Sequence, residues 1–363
     1  MIISFEIIKM DIKQYIFELG PIRPPSEGGG ASLLLRFTRN CPWNHCTFCY
    51  GSPYGRRKFS LRSEEEIIRD IDRVQNLVRL IEDGRISHIT DDIRIWKCLE
   101  VVYQWIRAGK RRVFLQDADS MIIKKESLVY LLNYLKEKFP SIERITTYAR
   151  SKSLKGKSLD ALREIYRAGL NRVHVGVESG NDDILKRVKK GVSSEEHLSA
   201  CKKAKDAGME VSIYIMPGLG GEEMSLVHAR DTAFLINQME PHYVRMRPFV
   251  PRIGTPLYKD WKCGNFRCLS VHGILKELLI LIEELDFSGR ICFDHMRNPH
   301  IYMEQYGFVP LFKSDYEGYK FPDEKGRVLE RIEMGLEIKE ERYRSLEQLL
   351  EIESRIYSLN ITI

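Results

Sequence analysis

"ERITTYARSKSLKGKSLDALREIYRAGLNRVHVGVES", residues 143–179, holds two β-rich runs, ERITTYA (143–149) and NRVHVGVES (171–179), on either side of SLDALREIYRAG (158–169). Runs rich in Ile, Val, Thr and Tyr read as strands. The segment between them has apolar residues at helical spacing and stops at Gly169, a residue suited to ending a helix. Strand, helix and strand in succession make a βαβ unit with parallel strands. The pattern repeats outward in both directions. SLLLRFT (32–38), RRVFLQD (111–117), EVSIYIMPG (210–218) and HYVRMRPF (242–249) supply four more strands, and KESLVYLLNYLKEKF (125–139) and SLVHARDTAFLINQM (225–239) are among the helices. Ser63 with Glu66 and Ser193 with Glu196 are spaced as capping boxes. Behind the first, Ile67, Ile71, Val74, Val78 and Leu80 keep helical periodicity.

Six strand–helix units predict an α/β fold with a parallel sheet, and such sheets place their sites at the C-terminal strand ends. The segments there are unusual: a cysteine loop after the first strand, then QDADS, YARS, VESG and MPGLGG. From residue 260 the alternation is expected to stop. LSVHGILKELLILIEELDF is an amphipathic helix, and the charge-dense tail from Glu324 reads as a surface helix or oligomer contact.

The 363 residues are 43% hydrophobic, enough for one large domain with an extension. A net charge of +6 arises from 57 Lys+Arg interleaved with 51 Asp+Glu. Nucleic-acid binders concentrate positive charge in a patch or stripe, so the balance argues against a nucleic-acid partner. GRRKF (55–59) and GKRRVF (109–114) read as solvated faces or helix ends. The sequence has no apolar run of membrane-spanning length and no signal-peptide pattern, which predicts a cytoplasmic protein. In that compartment eight cysteines read as metal ligands or redox groups rather than disulfides.

Three of them, Cys41, Cys46 and Cys49, share RNCPWNHCTFCYG (39–51) with C-x4-C-x2-C spacing. One reading is zinc with His45 as fourth ligand, although His45 directly precedes Cys46 and no second ligand pair of a zinc ribbon follows. A second is an iron–sulfur cluster completed by another cysteine from Cys98, Cys201, Cys263, Cys268 or Cys292. A third is a cluster with one iron left open for chemistry.

This loop, the strand leading into it and the later rim segments resemble the radical S-adenosylmethionine (radical SAM) superfamily across roughly residues 30 to 256. HVGVESG, KKG and GTPLY look most like its Elp3 and oxygen-independent coproporphyrinogen oxidase-like cores, here with a C-x4-C-x2-C cluster loop in place of the usual three-residue first gap. The resemblance implies a partial (β/α)6 TIM-like barrel (31–256), an N-terminal extension (1–30), and a C-terminal helical extension (257–363) that closes the barrel and shapes the substrate pocket. It also implies a [4Fe–4S] cluster on Cys41, Cys46 and Cys49, with Phe48 as the aromatic before the third ligand. The fourth ligand would then be S-adenosyl-L-methionine, cleaved reductively to a 5′-deoxyadenosyl radical that abstracts hydrogen from a small-molecule substrate. A reducing partner such as flavodoxin or ferredoxin is implied with it.

Further cofactor contacts follow by the same resemblance. Asp117 and Asp119 stand where the family binds the cofactor's amino group, Glu178 where it reaches the ribose or amino-acid part, and Arg150 where a carboxylate can be gripped. Lys190 is a second candidate for that anion. Met216, Gly218 and Leu219 stand where backbone approaches adenine. Arg245 or Arg247 points at cofactor or substrate, and His174 reads as a core histidine. Cys263, Cys268 and Cys292 match no strong motif and read as free thiols. The rival classes are a closed-cluster electron-transfer or sensor protein and a zinc-bearing nucleic-acid binder.

Overall fold

A computed structural model describes residues 12–21, 24–27, 31–49, 58–85 and 92–358. GRRKF lies largely outside them. The chain enters through β1 (Ser32–Arg36), and the short strands β2 (Thr38–Arg39) and β3 (Ser60–Leu61) pair antiparallel on either side of the cysteine loop. Next come α1 (Glu64–Glu82), α2 (Ile93–Arg107), β4 (Arg112–Gln116), α3 (Lys125–Lys138), β5 (Arg144–Ala149), α4 (Ser151–Lys155) and α5 (Leu159–Arg167). β6 (Leu170–Glu178), α6 (Asp182–Arg187), α7 (Ser194–Asp206), β7 (Glu210–Ile215), α8 (Gly221–Met239) and β8 (Tyr243–Met246) complete the six units read from the sequence. Both capping boxes form, at Ser63–Glu66 and Ser193–Glu196.

The alternation does not stop at residue 260. After α9 (Pro256–Lys262) and α10 (Val271–Glu284), β9 (Gly289–Cys292) adds to β8 as a further parallel strand. A hairpin of β10 (His300–Met303) and β11 (Gly307–Pro310) follows, then β12 (Tyr319–Phe321), α11 (Lys325–Glu337) and α12 (Leu346–Ser358). β12 runs antiparallel on β9, so the extension is strand as well as helix. The main sheet has eight strands in the order β1-β4-β5-β6-β7-β8-β9-β12 and is not closed among the described residues.

Strand alternation sends successive side chains to opposite faces. One face carries Val113, Leu115, Val173, Val175, Val211, Ile213, Ile215 and Val244, packed under helix residues such as Ile71, Leu131, Leu162, Ala200 and Ile236 in one core. This is the main hydrophobic stabilisation, since each fully buried aliphatic side chain contributes about 1.5–3 kcal/mol. The other, inner face is aromatic and polar: Phe114, Thr146, Tyr148, His174, Ser212, Tyr214 and Arg245. Glu27, just ahead of β1, is buried at the N-terminal end of this face. It accepts from Ser32 Oγ at 2.9 Å and lies 3.5 Å from Arg144 and 3.6 Å from His174. The tail helix α11 buries Val328, Ile332 and Gly335 rather than lying free on the surface.

Candidate active site

The cysteine loop leaves β1 and is tied to two other rim segments. Trp43 Nε1 donates to the Lys189 carbonyl at 2.7 Å, and Thr47 N to the Val188 carbonyl at 3.0 Å. Leu257 N donates to the Thr47 carbonyl at 3.2 Å. Gly191 is what allows Trp43 so close: a Cβ there would stand 2.4 Å from the indole. At the loop's start, Asn40 N donates to Asp117 Oδ2 at 3.0 Å. That same oxygen receives Arg36 at 3.0 and 2.6 Å, and Arg36 reaches Glu18 at 2.9 Å. The first strand and the start of the loop are thus pinned by partly buried charge pairs centred on the enclosed Asp117.

The three thiols are free; Cys41 acts electrostatically on both Cys46 and Cys49, and Cys49 on Cys46. Burial pushes the Cys46 thiol up to about 12, against the charge of Lys190. Burial also raises Cys49, against Arg252 and Lys190. Burial favours the protonated form of Cys46 and Cys49, and a bound metal would displace those protons. Among the described residues no three His, Cys, Asp or Glu side chains gather around one ion-sized point. A tetrahedral zinc needs such convergence. A cubane does not, because each thiolate holds a different iron. Three thiols on one loop are a donor set that an iron–sulfur cluster can take.

Glu178 and Lys190 stand beside these thiols. Lys190 Nζ donates to Glu178 Oε1 at 2.9 Å and lies 5.8 Å from the centre of the Phe48 ring. Burial works against the Lys190 charge, but Glu178 raises its pKa overall. Glu178 ends β6 at a register shift with φ +70°, and a Cβ on Gly176 would meet its Oε1 at 2.3 Å. Arg150 stacks over Trp43 at 5.3 Å and reaches the Lys190 carbonyl at 3.5 Å. Asp119 is fully buried, accepts from Ser153 Oγ at 2.5 Å and keeps Oδ1 without a partner; burial raises it to about 6. Asp117 also has an unpartnered Oδ1, and burial raises its pKa.

Sequence reasoning placed Met216, Gly218 and Leu219 on this rim, and the structure shows what surrounds them. Met216 and Leu219 pack with Ile184, Val188, Phe249, Leu257 and Phe266, with Phe48 against the same group. Leu219 is fully enclosed, so its backbone is what it can offer a ligand. Gly218 adopts φ +83° and donates to Glu277 Oε1 at 2.7 Å. Glu277, from α10, was not singled out in the sequence, nor were Trp43, Gly191 and Arg252. Trp43 had a signal, an aromatic inside a ligand loop; Glu277 had none. Cys292 is buried on β9 while Cys263 is exposed at the end of α9, and the two show no shared ion site.

Residues 94–232 match the family model described as the Radical SAM superfamily. The match covers 139 of the 363 residues, so over that stretch the chain is similar to that superfamily. The match begins beyond the cysteine loop, so loop and family model point the same way independently. Radical SAM proteins are enzymes that bind a [4Fe–4S] cluster and S-adenosylmethionine. Among curated relatives, the tRNA uridine(34) acetyltransferase of Methanocaldococcus infernus is 24% identical over 266 residues, covering 68% of this chain and 48% of that protein. The enzyme of the same name from Methanocaldococcus jannaschii is 30% identical over 107 residues, covering 29% of this chain and 20% of that protein. The chain thus spans about half the length of these relatives or less. Among solved structures, the archaeal Methanocaldococcus infernus Elp3 with an N-terminal deletion aligns with TM-score 0.44 and 17% identity, over 84% of this chain and 63% of that one. No helix among the described residues is long and apolar enough to cross a membrane.

Proposed function

We propose that this radical SAM enzyme holds its [4Fe–4S] cluster on Cys41, Cys46 and Cys49 and its S-adenosylmethionine against the rim formed by Phe48, Asp117, Asp119, Arg150, Glu178, Met216, Gly218 and Leu219. The observation that carries this is the docking of the cysteine loop on residues 188–189 and 257, which sets Cys46 and Cys49 beside the Glu178–Lys190 pair. The chemistry such a cluster supplies is one-electron reduction of the sulfonium cofactor. The chain's own residues bind and orient. Glu178 offers acceptor oxygens to an ammonium, Arg150 and Lys190 offer cations to a carboxylate, and the apolar group around Met216 excludes water. A flavodoxin- or ferredoxin-like donor would supply the electron. Residues 31–256 form the core in this reading, and the extension from 257 shapes the substrate side.

A small molecule is the substrate favoured here. A second reading, action on tRNA, draws support from the names of the relatives. Anaerobic reconstitution tests the cofactor assignment. The protein should take up about four irons and four sulfides per chain and, under reduction, convert S-adenosylmethionine to 5′-deoxyadenosine. Cys46→Ala should abolish both. Zinc in place of iron, or full turnover by the variant, would refute the assignment. Deuterium transfer into 5′-deoxyadenosine from labelled metabolites, against none from labelled tRNA, separates the two substrate readings.

A further inference from the structure

The inner face of the sheet carries two arginines, Arg245 and Arg247, and only Arg245 has a carboxylate in contact. Arg245 Nε donates to Ser212 Oγ at 3.1 Å, Nη1 pairs with Asp294 at 2.5 Å and Nη2 reaches the Tyr316 carbonyl at 3.3 Å. Its charge and its fork are both used. Arg247, two residues on and therefore on the same side, is in none of the ion pairs among the described residues. Its guanidinium lies 4.1 Å from the centre of the Tyr214 ring, and its Nε is buried without a hydrogen-bond partner.

Tyr214 repeats the anomaly. It is 4% exposed, and its hydroxyl is buried with no partner. The Tyr148 ring lies 6.2 Å from the Tyr214 ring. Burial raises both phenols, so both remain protonated and can donate. A buried hydroxyl without a partner forfeits free energy, and so does a half-buried guanidinium whose carboxylates, Asp294 and Glu178, act on it only from a distance. The two stand together on one wall. Donors from a guanidinium and phenols converging on one place are what a carboxylate or phosphate requires.

We propose that Arg247, with the hydroxyls of Tyr214 and Tyr148, binds a terminal carboxylate or phosphate of the substrate on the inner face of the sheet. This rests on the preceding reading in one respect, that the anion belongs to the enzyme's substrate. The group is terminal because Tyr214 is nearly sealed and leaves no path for a chain to run through. The cofactor's own carboxylate has other cations in the preceding reading, Arg150 and Lys190 beside the cysteine loop. The substrate class is therefore a small acid or phosphate monoester whose anionic end is anchored at β7 and β8.

The test uses the full chain, with sodium phosphate and sodium acetate as probes, sodium chloride as ionic-strength control, and calorimetry with tyrosine difference absorbance as readouts. Equilibrium dialysis measures S-adenosylmethionine binding to the reconstituted protein in parallel. Saturable binding of phosphate or acetate is expected, with a tyrosine signal that chloride does not give. The better probe tells phosphate from carboxylate. Arg247→Met should weaken it at least tenfold and Tyr214→Phe, which removes one oxygen, about three- to tenfold, while both keep cofactor binding within about twofold of the parent. Tyr214→Phe keeps the test valid if Arg247→Met fails to fold. Absence of saturable binding, unchanged binding in Tyr214→Phe, or loss of cofactor and anion together in Arg247→Met would overturn the proposal. A protein that binds the anion but no cofactor would sink the cofactor assignment and leave the anion site standing.

Discussion

Glu178 and Lys190 are each nearly buried, and each is tolerable only because of the other. Removing one partner of such a pair leaves an uncompensated charge, which costs more than the pair contributes. Lys190→Met should therefore destabilise the protein by roughly 3 kcal/mol, and adding Glu178→Gln should recover part of that loss. Urea denaturation of the two single variants and the double variant gives the coupling directly. Additive losses would mean that the pair is solvated, contrary to the structure. Both residues were legible in the sequence, as a carboxylate closing an apolar strand and a lysine in VKKG. What the sequence could not show is that they face each other across twelve residues and stand beside the thiols. Asp117 teaches the same lesson: its position at a strand end was readable, but its engagement with Arg36 and the Asn40 amide depends on contacts 77 to 81 residues apart.

At the scale of elements, the repeated strand–helix pattern and the two capping boxes announced the sheet because they are local properties: periodicity and cap spacing lie within a few residues. β9 escaped because it has four residues and follows a segment whose composition reads as helical. Its place is set by pairing with β8, not by its own pattern. The role of α10 was equally hidden. Its Glu277 is buried and accepts from Gly218 N at 2.7 Å, from Ser225 Oγ at 2.6 Å and meets His228 Nδ1 at 2.9 Å. One carboxylate thus fixes the turn after β7 and the start of α8. Glu277→Gln keeps the shape but replaces one acceptor oxygen with a donor, leaving a buried hydrogen bond unmade. A loss of about 1–3 kcal/mol is expected, together with faster hydrogen exchange at the Gly218 amide and weaker binding of S-adenosylmethionine. Exchange at Gly218 equal to that of the parent would show that the turn holds without α10.

Across the whole molecule, the inner face of the sheet is aromatic and polar, and its N-terminal end is closed by a buried charged cluster. Glu27 reaches β1, β5 and β6 at once through Ser32, Arg144 and His174. Burial disfavours its ionised form, but His174 and Arg144 hold it down at about 2. His174 has no full hydrogen bond and sits among aromatic rings of β4, β5 and β7. Burial lowers it to about 4, outweighing Glu27, with the charges of Arg245 and Arg172 adding to the same effect. Both shifts have one sign in terms of stability. Below its ordinary value of 6.5 the unfolded histidine takes a proton that the folded one refuses, so stability falls as pH drops from 6.5 to about 4. Below 4.5 the unfolded glutamate takes a proton that the folded one refuses, so stability falls again toward about 2. The buried His197 and the half-buried His295 are likewise lowered, and add to the first fall. The difference between the parent and His174→Gln isolates the one residue. The parent should lose on the order of 3 kcal/mol more than the variant between pH 6.5 and 4. Urea denaturation at half-unit steps of pH measures it. Parallel curves would mean that His174 is charged or solvated in the folded state and that the N-terminal end of this face is open to water.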